Sequence, residues 1–316
     1  MSLVPWLILA VLLCLLAVCV LRTRSLARAA ERQVPQVGHI QKVRGGSVHY
    51  VDLGPRDATP LVLIHGLSGQ LQHFTYAIAD MLSDQYRVIA LDRPGCGYSQ
   101  RDSDDLATPG EQARMIGEAL DALGLGKTIL VGHSLGGTVA LTMALERPKK
   151  TAALALLCPA TQNQTEVPEA FKGLMVKSPV LRRLIGHTIA APMAAATKDK
   201  VLAMVFAPET CPADFMLRGG AALGMRPQAF VTASADATGL QAQAADITAR
   251  YDTDLQVPGG ILFGAADPIL SPDVHGRTMQ KYGLEFETLQ GRGHMIPITA
   301  PADCADFIIR MAAKTS

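Results

Sequence analysis

Ile129-Leu130-Val131-Gly132-His133-Ser134-Leu135-Gly136-Gly137 is the stretch whose reading decides the fold. A short apolar run ends on Gly132-His133-Ser134-Leu135-Gly136, and a helix-length pattern rich in Ala, Leu and Met follows at once. The pattern predicts a strand, a sharp turn and a helix. In such a turn the serine is held in a strained backbone conformation at the tip, and flanking glycines keep side chains out of the bend. The hydroxyl then projects above the sheet, where a nucleophile is wanted.

Working outward, His49–Gly54 reads as a strand closed by a turn. Leu61–Ile64 is a continuous apolar run of the kind that forms strands buried on both faces. It leads into His65-Gly66-Leu67-Ser68-Gly69, and a third strand at Arg87–Leu91 leads into Asp92-Arg93-Pro94-Gly95-Cys96-Gly97-Tyr98-Ser99. A helix from Pro109 to Leu123 precedes the strand Thr128–Val131, and Ala152–Leu157 supplies another strand. From Thr161 to Ile247 no buried-strand run appears, and amphipathic segments are broken by Pro168, Pro179, Pro192, Pro208, Pro212 and Pro227. That segment reads as a helical insertion. Strands return at Gly259–Gly264 and Leu284–Leu289, and a helix at Ala302–Ala313 closes the chain. Alternating buried strands and helices predict an α/β fold with a mostly parallel, doubly wound sheet, whose ligands bind at the carboxyl ends of the strands.

A serine hydroxyl is a weak nucleophile at neutral pH and needs a base oriented by a carboxylate. Of the eight histidines, His133 is excluded because its side chain points away from that of its neighbour Ser134 in such a turn. His294, in Gly291-Arg292-Gly293-His294-Met295, follows the last strand at the correct sheet edge and is the candidate base. Asp267, in Gly264-Ala265-Ala266-Asp267-Pro268, follows the penultimate strand and is the candidate carboxylate. The competing position after Leu157 offers nothing acidic until Glu166. His39, His49, His73, His187 and His275 are assigned no catalytic part, and none is clustered as metal ligands would be. No glycine-rich dinucleotide or phosphate loop is present, so the expected chemistry uses neither cofactor nor metal.

These markers, His65-Gly66, Asp92-Arg93-Pro94-Gly95-x-Gly97-x-Ser99, the Gly132–Gly136 elbow, Asp267 and Gly293-His294, resemble those of the α/β-hydrolase superfamily. The resemblance runs from Gly38 to the C-terminus and is to the serine esterase and lipase-like branch with a helical cap inserted after the sixth strand. It implies an α/β-hydrolase fold and an oxyanion hole made by the backbone N–H groups of Leu67 and Leu135. It also implies ester hydrolysis through an acyl-enzyme on Ser134, His294 and Asp267. His65, Asp92 and Arg93 are read as holding their loops. Epoxide hydrolases and haloalkane dehalogenases share the loops and cap but use aspartate at the elbow, and Ser134 argues against both. Peptidases acting on N-terminal proline, C–C bond hydrolases and haloperoxidase-like members keep the serine and stay open. So does a ligand-binding receptor with slow turnover.

The first residues carry a second signal. From Ser2 to Leu21 no residue is charged, and Arg22, Arg24, Arg28 and Arg32 follow. Twenty residues at about 1.5 Å each span a bilayer core of roughly 30 Å. A cleaved signal peptide is the rival reading, but its basic residues would precede the apolar run. The expected organisation is a membrane anchor helix and basic stalk over residues 1–34, a catalytic domain over 35–160 and 251–316, and a cap over 161–250. The positive-inside tendency puts the catalytic domain on the cytoplasmic face. Within the cap, Phe171, Leu174, Met175 and Ser178, then Leu181, Leu184, Ile185 and Thr188, recur at helical spacing, with Lys172, Lys177, Arg182 and Arg183 on other faces. With Val201–Phe206 they are expected to line an apolar acyl pocket or to pack the cap, which points to a small ester or lipid substrate with a hydrocarbon chain. The formal net charge of +1 gives no field to recruit nucleic acid. The six cysteines show no zinc or disulfide spacing and suggest a reducing compartment.

Overall fold

The computed structural model describes residues 3–163 and 169–315. Ser2, Glu166 and Pro168, which entered the sequence reading, lie outside them. The chain begins with a 30-residue helix, α1 (Val4–Gln33), long and apolar enough to cross a bilayer. It continues unbroken through the arginine-rich stalk and ends two residues before Pro35, which cannot extend a helix.

The strands are β1 (His39–Val43), β2 (Gly46–Leu53), β3 (Pro60–Ile64), β4 (Arg87–Leu91), the two-residue β5 (Gln100–Arg101), β6 (Thr128–His133), β7 (Thr151–Leu157), β8 (Gly259–Gly264) and β9 (Glu285–Leu289). They form one sheet in the order β1-β2-β4-β3-β6-β7-β8-β9, with β5 paired to β2. From β4 to β9 every neighbour is parallel, and β1, β2 and β5 make the antiparallel edge. The mostly parallel α/β-hydrolase sheet expected from the sequence is therefore present. The central strands are buried at all positions but Pro60 and Ala152 because helices cover both faces, which is why their sequences read as apolar runs rather than alternations.

Helices α2 (Pro109–Ala122) and α3 (Leu135–Glu146) flank β6. The Thr108 hydroxyl caps α2 by accepting from the Glu111 N–H at 3.4 Å, and α3 is buried at all but its last residue. Between β7 and β8 the described residues hold no strand. They form α4 (Pro179–Ile185), a π-helical turn at Gly186–Ala190, α5 (Ala191–Phe206) and α6 (Pro227–Ala249), with short 3₁₀ turns between. α7 (Pro301–Ala312) packs behind the sheet through Cys304, Phe307, Ile308 and Met311. β1 was not anticipated. Its burial is so shallow that its sequence carries no alternation, and only its register against β2 defines it.

Candidate active site

The turn after β6 has the conformation the sequence implied. Ser134 sits at φ 53°, ψ −123°, a region that L-residues rarely occupy. Its N–H donates to Leu157 O at 3.1 Å, and its own carbonyl accepts from Gly137 N at 2.9 Å and Ala160 N at 3.1 Å. The backbone on both sides thus fixes the strain. A Cβ on Gly136 would stand 2.1 Å from Ile64 O, and one on Gly132 would stand 2.5 Å from Gly136 O. The bend closes only with glycine at both positions.

His294 and Asp267 meet at the ends of β9 and β8. His294 Nδ1 lies 2.7 Å from Asp267 Oδ2, and both side chains are almost completely buried. Asp267 Oδ1 accepts from the N–H groups of Ile269 at 2.8 Å and Leu270 at 3.0 Å, which aims the carboxylate at the imidazole. The loop carrying His294 is braced from the cap: Glu209 Oε2 accepts from Gly293 N at 2.8 Å and Oε1 from Arg292 Nη1 at 2.8 Å. His133 turns from Ser134 to place its Nε2 3.0 Å from His294 O, and burial keeps it neutral, well below the ordinary histidine value.

Cys158, at the end of β7, occupies the place where a competing carboxylate was sought. Its Sγ and ligand atoms of Asp267 and His294 lie within 4.8 Å of one another, close enough to consider a metal. Burial first, and then the charge of Asp267, push the thiol well above its ordinary value, so it stays protonated and a poor ligand. Its sulfur accepts from Gly264 N at 3.4 Å, and Asp267 is already held by His294 and two backbone N–H groups. The three residues form a hydrogen-bonded cluster.

The loop after β3 is held from beneath. His65 Nε2 accepts from Arg93 N at 2.9 Å, so the ring proton is on Nδ1, which donates to Gly66 O at 2.8 Å. Arg93, fully buried, donates to His65 O at 2.9 Å and Gly66 O at 3.0 Å, and then to Gln112 Oε1 at 2.6 Å and Asp236 Oδ2 at 2.7 Å. Asp92 accepts from Leu71 N at 2.7 Å, Tyr98 N at 2.8 Å and His49 Nδ1 at 2.7 Å. His65, Asp92 and Arg93 therefore hold loops, as the sequence suggested.

One pocket brings Leu67, Ser134 and Leu135 together beneath the cap, walled by Phe171, Met175, Leu240, Ile269 and Leu270. Leu135 opens α3, where the first N–H groups of a helix have no partner within it. His275, Leu181, Leu184 and Arg182 stand where the sequence reading did not put them. His275, assigned no part, lies in the pocket wall; its Nδ1 accepts from Thr161 N at 3.0 Å, and burial brings it down to about 4. Leu181 and Leu184, expected to line a pocket or pack the cap, face outward, while Arg182, expected on a different face from them, is buried.

The sequence profile of the alpha/beta hydrolase fold family matches residues 59–301. The chain belongs to that family. A solved esterase from Thermogutta terrifontis superposes with a TM-score of 0.67 at 22% identity, covering 87% of this chain and 97% of that one. The crystal structure of a membrane phospholipase A superposes with a TM-score of 0.67 at 22% identity, over 99% of this chain and 97% of the other. In sequence the chain is 36% identical over 124 residues to the dihydrolipoyllysine-residue acetyltransferase component of the acetoin cleaving system of Pseudomonas putida. That match covers 38% of this chain and 32% of the relative, so the chain spans about a third of that protein's length.

Proposed function

We propose that the protein is a membrane-anchored serine hydrolase of carboxylic esters with apolar acyl chains. The observation that carries the reading is the His294–Asp267 pair at 2.7 Å, set at the same sheet edge as the strained Ser134 turn. Ser134 Oγ attacks the acyl carbonyl, and His294, whose Nδ1 faces Asp267, takes the hydroxyl proton on Nε2 and returns it to the leaving alcohol. Water then attacks the acyl-serine by the same route, releasing the acid and restoring the hydroxyl. Asp267 fixes the imidazole orientation and stabilises the imidazolium. The oxyanion is received by the N–H groups of Leu67 and Leu135, a contribution of about 2.7–4 kcal/mol for such a donor.

The apolar walls of the pocket favour hydrocarbon acyl groups, and the length and apolar composition of α1 support an anchor at the membrane, where such esters are concentrated. The solved membrane phospholipase A and esterase that share the fold are consistent with this reading. The test is a series of nitrophenyl esters of increasing acyl length, with a phospholipid and a monoacylglycerol alongside. Turnover should rise with chain length beyond acetate. A rate that falls steadily from acetate upward would remove the hydrocarbon-chain assignment.

A further inference from the structure

Helix α4 is inside-out for a helix in water. Its buried residue is Arg182, which donates to Asp104 Oδ2 at 2.6 Å, Val176 O at 2.8 Å, Ser234 Oγ at 3.0 Å and Thr238 Oγ1 at 3.1 Å. Its outward apolar residues are Val180, 78% exposed, Leu181, 47%, and Leu184, 56%, and the exposed Arg183 beside them is paired with Asp104 at 2.9 Å. An aqueous surface helix shows the reverse, with its apolar stripe on the core and its charges outside. The apolar side continues past the π-helical turn through Ile189, 41% exposed, and Met193, 59% exposed, at the start of α5. The four hydrogen bonds of Arg182 hold this corner rigidly in that orientation.

The corner also lies at a defined height on α1. Thr23 Oγ1 donates to Thr188 O at 2.6 Å, and both residues are buried. Thr23 is two residues past Leu21, the end of the uncharged run, which is about 3 Å along a helix. Further along, Ala30 of α1 and Val34 just past its end pack on Ala222 and Leu223, so the cap clasps the stalk from the end of the apolar run to its foot. Thr188, which lies between the exposed Leu184 and Ile189 in sequence, therefore stands level with the place where α1 would leave a bilayer. Arg22 and Arg24, exposed at the same height, suit lipid phosphates.

We infer that the α4–α5 corner is a second membrane contact, seated on the lipid surface beside α1, and that acyl chains enter from the bilayer behind it. This rests on the anchoring reading of α1. The entry is the apolar groove bounded by Ala190, Ala194, Val201, Val205 and Phe230. Phe171 lines both this groove and the pocket that holds Ser134, so the two adjoin. Continuity with α1 favours lipid over a second copy of the chain as the occupant. Apolar residues at the acyl boundary with basic neighbours are the pattern of interfacial helices.

The chain's single tryptophan, Trp6, allows the two contacts to be read separately in the full-length protein. In vesicles of phosphatidylcholine and phosphatidylglycerol carrying bromine on the acyl chains, Trp6 of the native chain reports α1. A Trp6→Phe, Leu184→Trp double variant reports the corner, and its turnover of a short soluble ester verifies the fold. The account expects the indole at position 184 to shift to shorter wavelength and lose most of its emission to lipids brominated near the headgroup. An indole there that keeps water-like emission while Trp6 is quenched overturns the docking and leaves the anchor standing. Shielding that grows with the protein-to-lipid ratio without bromine quenching also overturns it, in favour of a second copy. If Trp6 is unquenched the anchoring reading fails, and quenching at position 184 alone then decides the docking.

Discussion

Arg93 and Asp236 stand 143 residues apart in sequence and form an ion pair at 2.7 Å with both side chains inaccessible to solvent. Arg93 holds the carbonyls of His65 and Gly66, while Asp236 lies on α6 and also accepts from Arg101 Nη1 at 2.7 Å. The cap is thereby bolted to the loop that carries Leu67. Burial opposes the charge on Arg93, but Cys96, then Asp236 and Asp92, together outweigh it and raise its pKa.

Asp236→Ala leaves two buried guanidinium groups without their carboxylate. Removing one partner of a buried pair costs about 3–5 kcal/mol. The midpoint of urea unfolding should fall accordingly, and ester turnover should drop even where the variant is folded. Asp273→Ala, which breaks an exposed pair with Arg277, should leave the midpoint where it was.

Gly136→Ala places a methyl group 2.1 Å from Ile64 O, against backbone that has no room to give. The loss should exceed the ~1–3 kcal/mol of ordinary overpacking. Gly126→Ala, with nothing within 4 Å of the added carbon, is the control and should melt as the native protein does.

Glu209→Ala removes the acceptor for Gly293 N and Arg292 and loosens the loop that aims His294. The expected result is a lower kcat with little change in KM for a short ester. Glu209→Gln, which keeps one acceptor oxygen, should recover part of the loss.

Stability should fall on acidification. Burial brings His73 and His275 down to about 4 and holds His65 and His133 well below 6.5. The unfolded chain therefore binds protons that the folded chain refuses. These groups contribute fully above pH 6.5, and their stabilisation is lost as pH falls from about 6.5 to about 4. For His73 and for His275 that is on the order of 2–3 kcal/mol each. His49 acts oppositely: burial works against its charge, but Asp92 raises its pKa, so its contribution is present below 6.5 and lost at higher pH. Four groups oppose one, and urea midpoints should decline from pH 7 to pH 4.5.

The elbow and the parallel strands were legible because each depends on local sequence, and Ser134, Asp267 and His294 could be nominated as candidates on the same local ground. The turn demands glycine at Gly132 and Gly136, and strands buried on both faces need unbroken apolar runs. What was not legible depends on partners far along the chain. Arg182 looks like any surface arginine until Asp104, Ser234 and Thr238 surround it. Leu181 and Leu184 carry the same helical spacing whether they face a pocket or the outside, and only the burial of Arg182 decides which. His275 lies in the pocket wall because Thr161 and Gln162 donate to its ring across more than a hundred residues.

The central claim is that Ser134 is a nucleophile activated by His294, and its most direct test is labelling with a fluorophosphonate followed by intact-mass and peptide analysis. The account predicts one adduct on the native chain, mapped to the peptide containing Ser134. It predicts none on Ser134→Ala and slow labelling of His294→Ala, with ester turnover in Ser134→Ala lower by roughly 10⁴- to 10⁶-fold. Equal labelling of the native chain and Ser134→Ala would contradict it.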